Sequence, residues 1–249
     1  MLRLEGKTAI VTGGAQGFGA GIVDKFIAEG AKVLVADIQG DKAAAKAREI
    51  GNAATACAVD VAQSDSVEAM VKTAIEAFGH LDILVNNAGI THLPTPMEEV
   101  DEEMFDRVLA VNAKSIYLGA KHLVRHMKSR GTGNILNVAS TAGLSPRPNL
   151  NWYNASKGWV ITATKAMAVE LAPFGVRVNA LCPVAGETPL LASFMGEDTP
   201  EIRAKFISTI PLGRFSTAED MGNSAAFLCS DEASMLTGVA MEVDGGRCI

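Results

Sequence analysis

The sequence predicts an α/β fold, a doubly wound parallel sheet of about seven strands with helices on both faces. Three observations carry that expectation. Short apolar runs alternate with helix-period segments along the whole chain, the pattern of successive βαβ units with right-handed crossovers. Several of those runs are apolar at consecutive positions, as strands covered on both faces require. A glycine-rich turn follows the first run and opens the first helical segment.

Taken in order, the first strand is expected at Thr8–Val11, followed by helix Gly19–Ala28. Strand Val33–Ala36 runs into Asp37 and precedes helix Asp41–Ile50. Strand Ala54–Val59 leads to helix Ser64–Phe78, and strand Ile83–Val85 to a long helix at Glu102–Ser129. Strand Asn134–Val138 is followed by helix Tyr153–Ala172, then by strand Arg177–Leu181. Helix Ala218–Leu228 and strand Val239–Val243 close the pattern. No linker or shift of composition divides the chain, so residues 1–249 are expected to form a single domain. One irregular stretch, 183–211, is rich in proline and glycine and follows the sixth strand. It therefore overhangs the carboxyl ends of the strands, where open α/β sheets bind ligands, and reads as a substrate lid.

Of the 249 residues, 48% are hydrophobic, enough for a large core. A formal charge of −6 argues against nucleic acid or an anionic membrane as the main partner, since both need a basic face. No run of about 18 uncharged apolar residues is present, and no basic segment with a long apolar stretch precedes the first strand. A cytoplasmic protein is expected. Cys57, Cys182, Cys229 and Cys248 lie far apart without Cys-x-x-Cys spacing and read as reduced thiols. His122 and His126 stand four apart on a helix without an obvious third ligand, so no metal site is expected.

The chemistry concentrates in Tyr153-Asn-Ala-Ser-Lys157. A four-residue helical step puts both side chains on one face. A phenol is a poor acid or base near neutral pH, and an ammonium beside it favours the phenolate. The pair then forms a proton-transfer group, with Ser140 at the end of the preceding strand. At the other end of the chain, Gly13, Gln16, Gly17, Phe18 and Gly19 form a turn into a helix N-terminus. Such a turn lets the backbone approach a pyrophosphate under a partial positive charge. Asp37 can hydrogen-bond adenosine ribose hydroxyls and repels a 2′-phosphate. Its neighbours Gln16 and Ile38 are neutral, so NAD rather than NADP is expected.

In combination and order, these pieces resemble the short-chain dehydrogenase/reductase family over essentially the full length. The matching residues are Thr12-Gly-x-x-x-Gly-x-Gly19, Asp60-Val61, Asn86-Asn87-Ala88-Gly89, Asn112, Ser140, Tyr153-x-x-x-Lys157, Pro183 with Thr188, and Val243-Asp244-Gly245-Gly246. The resemblance implies a Rossmann-like fold and hydride transfer between NAD(H) and the carbinol or carbonyl carbon of a small alcohol, ketone or aldehyde. Tyr153 would be the general acid/base, Lys157 would lower its pKa and bond the nicotinamide ribose, and Ser140 would orient the substrate oxygen. Asn112 would hold a water in a proton relay. Asp60, with Val61 beside it, would bond the adenine amino group. Asn87, Ala88 and Gly89 would line the adenosine ribose, and Pro183, Gly186 and Thr188 would wrap the carboxamide and pyrophosphate. Family members pair the two long helices into tetramers, so a homotetramer is expected.

The chain departs from the family's common Pro-Gly in reading Pro183-Val184-Ala185-Gly186-Glu187-Thr188, which shifts the glycine and brings Glu187 forward as a pocket residue. The segments around Gly186, Phe194 and Pro211 are similar to dehydrogenases of aryl alcohols such as (hydroxymethyl)benzenesulfonate; glucose, cyclic-diol and 3-oxoacyl reductases also come close. Phe194 contributes to an apolar lid, and Trp152 either walls the pocket or packs between subunits. Arg147, set between Pro146 and Pro148 in the loop after the fifth strand, is a candidate for an anionic group on the substrate. Two alternatives stand beside this reading: an NADPH-dependent 3-oxoacyl carrier-protein reductase, and a cofactor-sensing protein without catalysis.

Overall fold

Strands that are apolar at every position have to be covered twice, and the computed structural model, which describes residues 2–249, does this with one parallel sheet. Its strands are β1 (Thr8–Thr12), β2 (Lys32–Asp37), β3 (Ala54–Ala58), β4 (Ile83–Asn86), β5 (Gly133–Val138), β6 (Val176–Pro183) and β7 (Ala240–Val243). They run in the order β3-β2-β1-β4-β5-β6-β7, all neighbours parallel. Helices α1 (Gly17–Ala28), α2 (Gly40–Ile50), α3 (Ser64–Phe78), α4 (Glu102–Leu109), α5 (Ser115–Arg130), α6 (Asn151–Leu171), α7 (Leu191–Met195), α8 (Pro200–Ile207) and α9 (Ala218–Cys229) complete the chain.

Successive residues of a strand point to opposite faces, and the two main cores divide accordingly. Val11, Val33, Val35 and Val85 pack with Ile22 and Phe26 of α1 and Met221 and Ala225 of α9. Ile10, Leu34 and Leu84 pack with Met70 of α3 and Leu118, Leu123 and Met127 of α5 on the other side. The strand order reverses between β1 and β4, which opens a crevice at the carboxyl ends of the strands.

Two elements depart from the sequence reading. The expected helix Glu102–Ser129 is interrupted by a π-helical turn at Ala110–Lys114, which carries Asn112. Such turns insert an extra residue and re-aim a side chain. The segment 183–211 is not wholly irregular, because it contains α7 and α8. Thr199 caps α8 by accepting from the Ile202 N–H, and Pro200 occupies the first turn, where a proline costs no hydrogen bond. Val184, Leu191, Met195, Ile210 and Phe215 form a small core of their own beneath it.

Candidate active site

The carboxyl ends of the central strands open into a cavity of about 770 Å³. At one end lies the turn from β1 to α1. A Cβ on Gly19 would stand 2.0 Å from the Gly13 carbonyl oxygen and 2.5 Å from Asn87 Nδ2, so only glycine lets the turn close. Asn87 locks it, donating from Nδ2 to the carbonyls of Thr12 at 2.8 Å and Gly13 at 3.1 Å. The Thr12 hydroxyl accepts from the N–H groups of Asn87 and Ala88. Helix α1 has no side-chain cap at Gln16 and no acid in its first turn. Gly17, Phe18 and Gly19 line the cavity, so the unsatisfied N–H groups and positive end of the helix suit an anion such as a pyrophosphate.

Asp37 is buried at the end of β2, accepting from the N–H of Ala15 at 3.2 Å and of Gln39 at 3.0 Å. Ile38 beside it is 70% exposed. Asp60 lies at the same end, its Oδ1 accepting from Ala62 N–H at 2.9 Å, with Val61 next to it. Spacing alone does not single out Lys42, whose Nζ donates to Gln16 Oε1 at 3.1 Å near this rim.

At the other end, α6 presents Tyr153 and Lys157, both buried, beside Ser140 at the end of β5. Lys157 Nζ donates to the Val138 carbonyl at 2.8 Å, and Ser140 Oγ accepts from Ala142 N–H at 3.1 Å. Asn112 lies behind the cavity. Its Oδ1 accepts from Ile90 N–H, and its Nδ2 donates to Ile90 O and Ser156 Oγ. These bonds tie α6 to the loop after β4, so the amide braces the wall of the site directly.

The sequence reading makes Lys157 the group that lowers the Tyr153 pKa. The structure assigns the shifts differently. Burial pushes the phenol up to about 12, opposed by the neighbouring Ser140 hydroxyl, which in this geometry donates to the Pro183 carbonyl at 3.5 Å, and by the Arg147 charge. Burial also draws Lys157 down to about 8. A low-dielectric pocket disfavours the charged form of each group.

The lid side supplies Phe194, whose ring centre is 5.1 Å from that of Tyr153, and Phe206. Pro183, Gly186 and Thr188 line the cavity. The shifted glycine has a packing reason: a Cβ on Gly186 would meet the Phe18 ring at 2.2 Å. Glu187, expected in the pocket, is instead exposed and outside the cavity lining, because the chain at 187 turns its side chain to solvent while Gly186 and Thr188 face the cavity. Trp152 is also outside the lining; it packs edge-on against Phe105 and donates from Nε1 to the Met97 carbonyl. Arg107, Leu150 and Phe206 line the cavity but carry no motif that would have flagged them.

Away from the cavity, His122 meets Ser64 Oγ at 3.0 Å and His126 accepts from Leu81 N–H. All four cysteines are unpaired. Among the described residues, no helix is long and apolar enough to cross a membrane.

A family model described as Enoyl-(Acyl carrier protein) reductase matches residues 13–247. The chain is 48% identical over 252 residues to 4-formylbenzenesulfonate dehydrogenase TsaC1/TsaC2 of Comamonas testosteroni, covering 100% of both chains. It is 37% identical over 242 residues to cis-4-hydroxycyclohexanecarboxylate dehydrogenase of Sinomonas cyclohexanicum, covering 96% of each. The crystal structure of a 3-ketoacyl-(acyl-carrier-protein) reductase from Brucella melitensis complexed with NADH matches with a TM-score of 0.94 and 51% identity. That match covers 99% of this chain and 100% of the other.

Proposed function

This chain belongs to the short-chain dehydrogenase/reductase family, and on that premise we propose that it is an NAD-dependent dehydrogenase of small alcohols acting through Tyr153. It is an oxidoreductase of a family that binds a nicotinamide cofactor. One observation carries the finer reading. Ser140, Tyr153 and Lys157 stand at one end of a cavity whose other end holds the uncapped α1 N-terminus and the buried Asp37.

NAD(H) bound there supplies the hydride acceptor or donor. In alcohol oxidation the Tyr153 oxygen, once it has lost its own proton against the effect of burial, would take the hydroxyl proton while hydride passes from the carbon to the bound NAD. Ser140 orients the substrate oxygen and stabilises the phenolate by hydrogen bonding. Lys157, anchored on Val138, holds a positive charge close to the tyrosine ring and would bond the nicotinamide ribose. Asp37 would bond the adenosine ribose. Being buried, its charge is screened less than that of the exposed Lys42, so repulsion of a 2′-phosphate prevails and NAD is preferred.

Residues 1–249 act as one cofactor-binding domain in this reading, with 183–211 as its lid. The unpaired thiols support the reducing cytoplasm as the place of action. Tyr117 on α5 and Trp159 and Val169 on α6 are apolar and exposed, which supports burial of these helices between subunits. Light scattering should then give about four times 26.0 kDa; a monomer at micromolar concentration excludes the tetramer.

The second reading, an NADPH-dependent 3-oxoacyl carrier-protein reductase, draws on the name of the Brucella structure, although that protein was crystallised with NADH. One experiment separates them. Purified protein is assayed with NAD and NADP against a panel of alcohols, and with NADH and NADPH against a 3-oxoacyl thioester. Oxidation of alcohols with NAD is expected. Faster thioester reduction with NADPH overturns the first reading.

A further inference from the structure

Arg147 lines the cavity, yet the hydride transfer derived above gives it no contact with the reacting oxygen. Several features hold it in place. Its backbone carbonyl accepts from Asn154 Nδ2 at 2.7 Å, which ties the loop to α6 one residue after Tyr153. Pro146 and Pro148 restrict the chain on both sides. Asn149, two residues on, has φ 62 and is the one non-glycine residue in the left-handed region among those described. Its carbonyl accepts from Thr95 N–H at 2.9 Å. Asparagine adopts this region readily, so the turn closes the loop without strain. The guanidinium lies over the Phe206 ring of α8, with Cζ 4.5 Å from the ring centre.

The charges around it point the same way. The ionisable groups acting on Arg147 are Arg247, Cys248 and Tyr153, with no carboxylate among them. Arg247 donates to Ser145 Oγ at 3.4 Å, and its Nε is buried without a hydrogen-bond partner. The two guanidiniums thus share a partly buried corner with Cys248, whose thiol clusters with the Glu242 and Asp244 carboxylates, while no carboxylate acts on Arg147 itself. A partly buried guanidinium without a counter-charge of its own is costly until an anion meets it.

We propose that Arg147 forms an anion subsite, and that the substrate is an alcohol or carbonyl compound bearing a carboxylate or sulfonate away from the reacting carbon. The planar guanidinium offers two parallel N–H groups to such an anion. Phe194, Phe206 and Leu150 give the stretch between anion and reacting carbon apolar walls. This inference rests on the reading of the cavity as the alcohol site.

The test compares 4-(hydroxymethyl)benzoate with benzyl alcohol, in the wild type, Arg147→Gln and Arg147→Lys, with NAD. The wild type should prefer the anionic alcohol. The ratio of kcat/KM for the anionic over the neutral alcohol should fall about ten- to hundredfold in Arg147→Gln, mostly through KM. Arg147→Lys should recover part of it. Thermal melting checks that each variant folds. An unchanged ratio, or equal losses on both alcohols, overturns the subsite. Calorimetric titration of benzoate into the NADH-loaded protein gives a second readout. Binding that weakens in Arg147→Gln supports the subsite, and no binding to the wild type overturns it. If the wild type oxidises neither alcohol but binds benzoate through Arg147, the subsite stands and the dehydrogenase reading fails.

Discussion

The two ends of the cavity are built differently. The proposed nucleotide end consists of strand ends and one tight turn, with backbone N–H groups, a helix terminus and the hydrogen-bonded Asn87 and Asp37. It rests on the core that contains Phe26 and Met221. The substrate end is assembled from side chains of separate segments: Tyr153 on α6, Arg147 on a loop, Phe194 on α7 and Phe206 on α8. Its lid rests on a small core of its own around Leu191. A site that holds one constant ligand can be made of backbone. A site that selects substrates depends on side chains over a cover that opens at lower cost.

The sharpest way to break this comparison is at its centre. Tyr153→Phe removes one hydroxyl, so turnover should fall by at least about 10²-fold while NAD binding, measured by calorimetry, is retained. Near-normal turnover would remove the assignment, and lost NAD binding would show that the two ends are not separable. Next comes the contrast of cores. Phe26→Ala should cost about 3–5 kcal/mol and lower the melting temperature strongly. Leu191→Ala should lower it less, raise KM and speed amide exchange in residues 191–207. Equal melting losses would mean that the lid is not a separate unit.

A change confined to the nucleotide end is Asp37→Ala with Ile38→Arg. Trading a repulsive carboxylate for a guanidinium should move preference toward NADP by about tenfold or more, without altering the choice among alcohols. A wild type that already favours NADPH would reverse the reading of Asp37. The smallest effect is expected at the boundary between the ends. The Ser140 hydroxyl lowers the Tyr153 pKa against burial. Ser140→Ala should therefore move the pH profile of alcohol oxidation to more alkaline values, with about a tenfold loss at neutral pH. A profile that does not move, or moves toward acid, would exclude that role.

Most of the residues gathered at the proposed nucleotide end were legible in the sequence because the requirements of such a turn are local. Gly13, Gly17, Gly19 and Asp37 sit where strand meets turn, and their spacing is imposed by one βαβ unit. Tyr153 and Lys157 were legible for the same reason, through the helical period. What the sequence by itself determined is therefore the seven-stranded parallel fold, the carboxyl-end location of the site and the order of its motifs. The tertiary structure alone decided the rest. It left Glu187 exposed outside the cavity lining, broke the long helix so that Asn112 braces Ile90, and packed Phe18 onto Gly186. It brought Arg107, Phe206 and Leu150 to the cavity wall, and it made burial the largest influence on Tyr153. These outcomes depend on which distant surfaces meet and how much water they exclude, and no local periodicity encodes either.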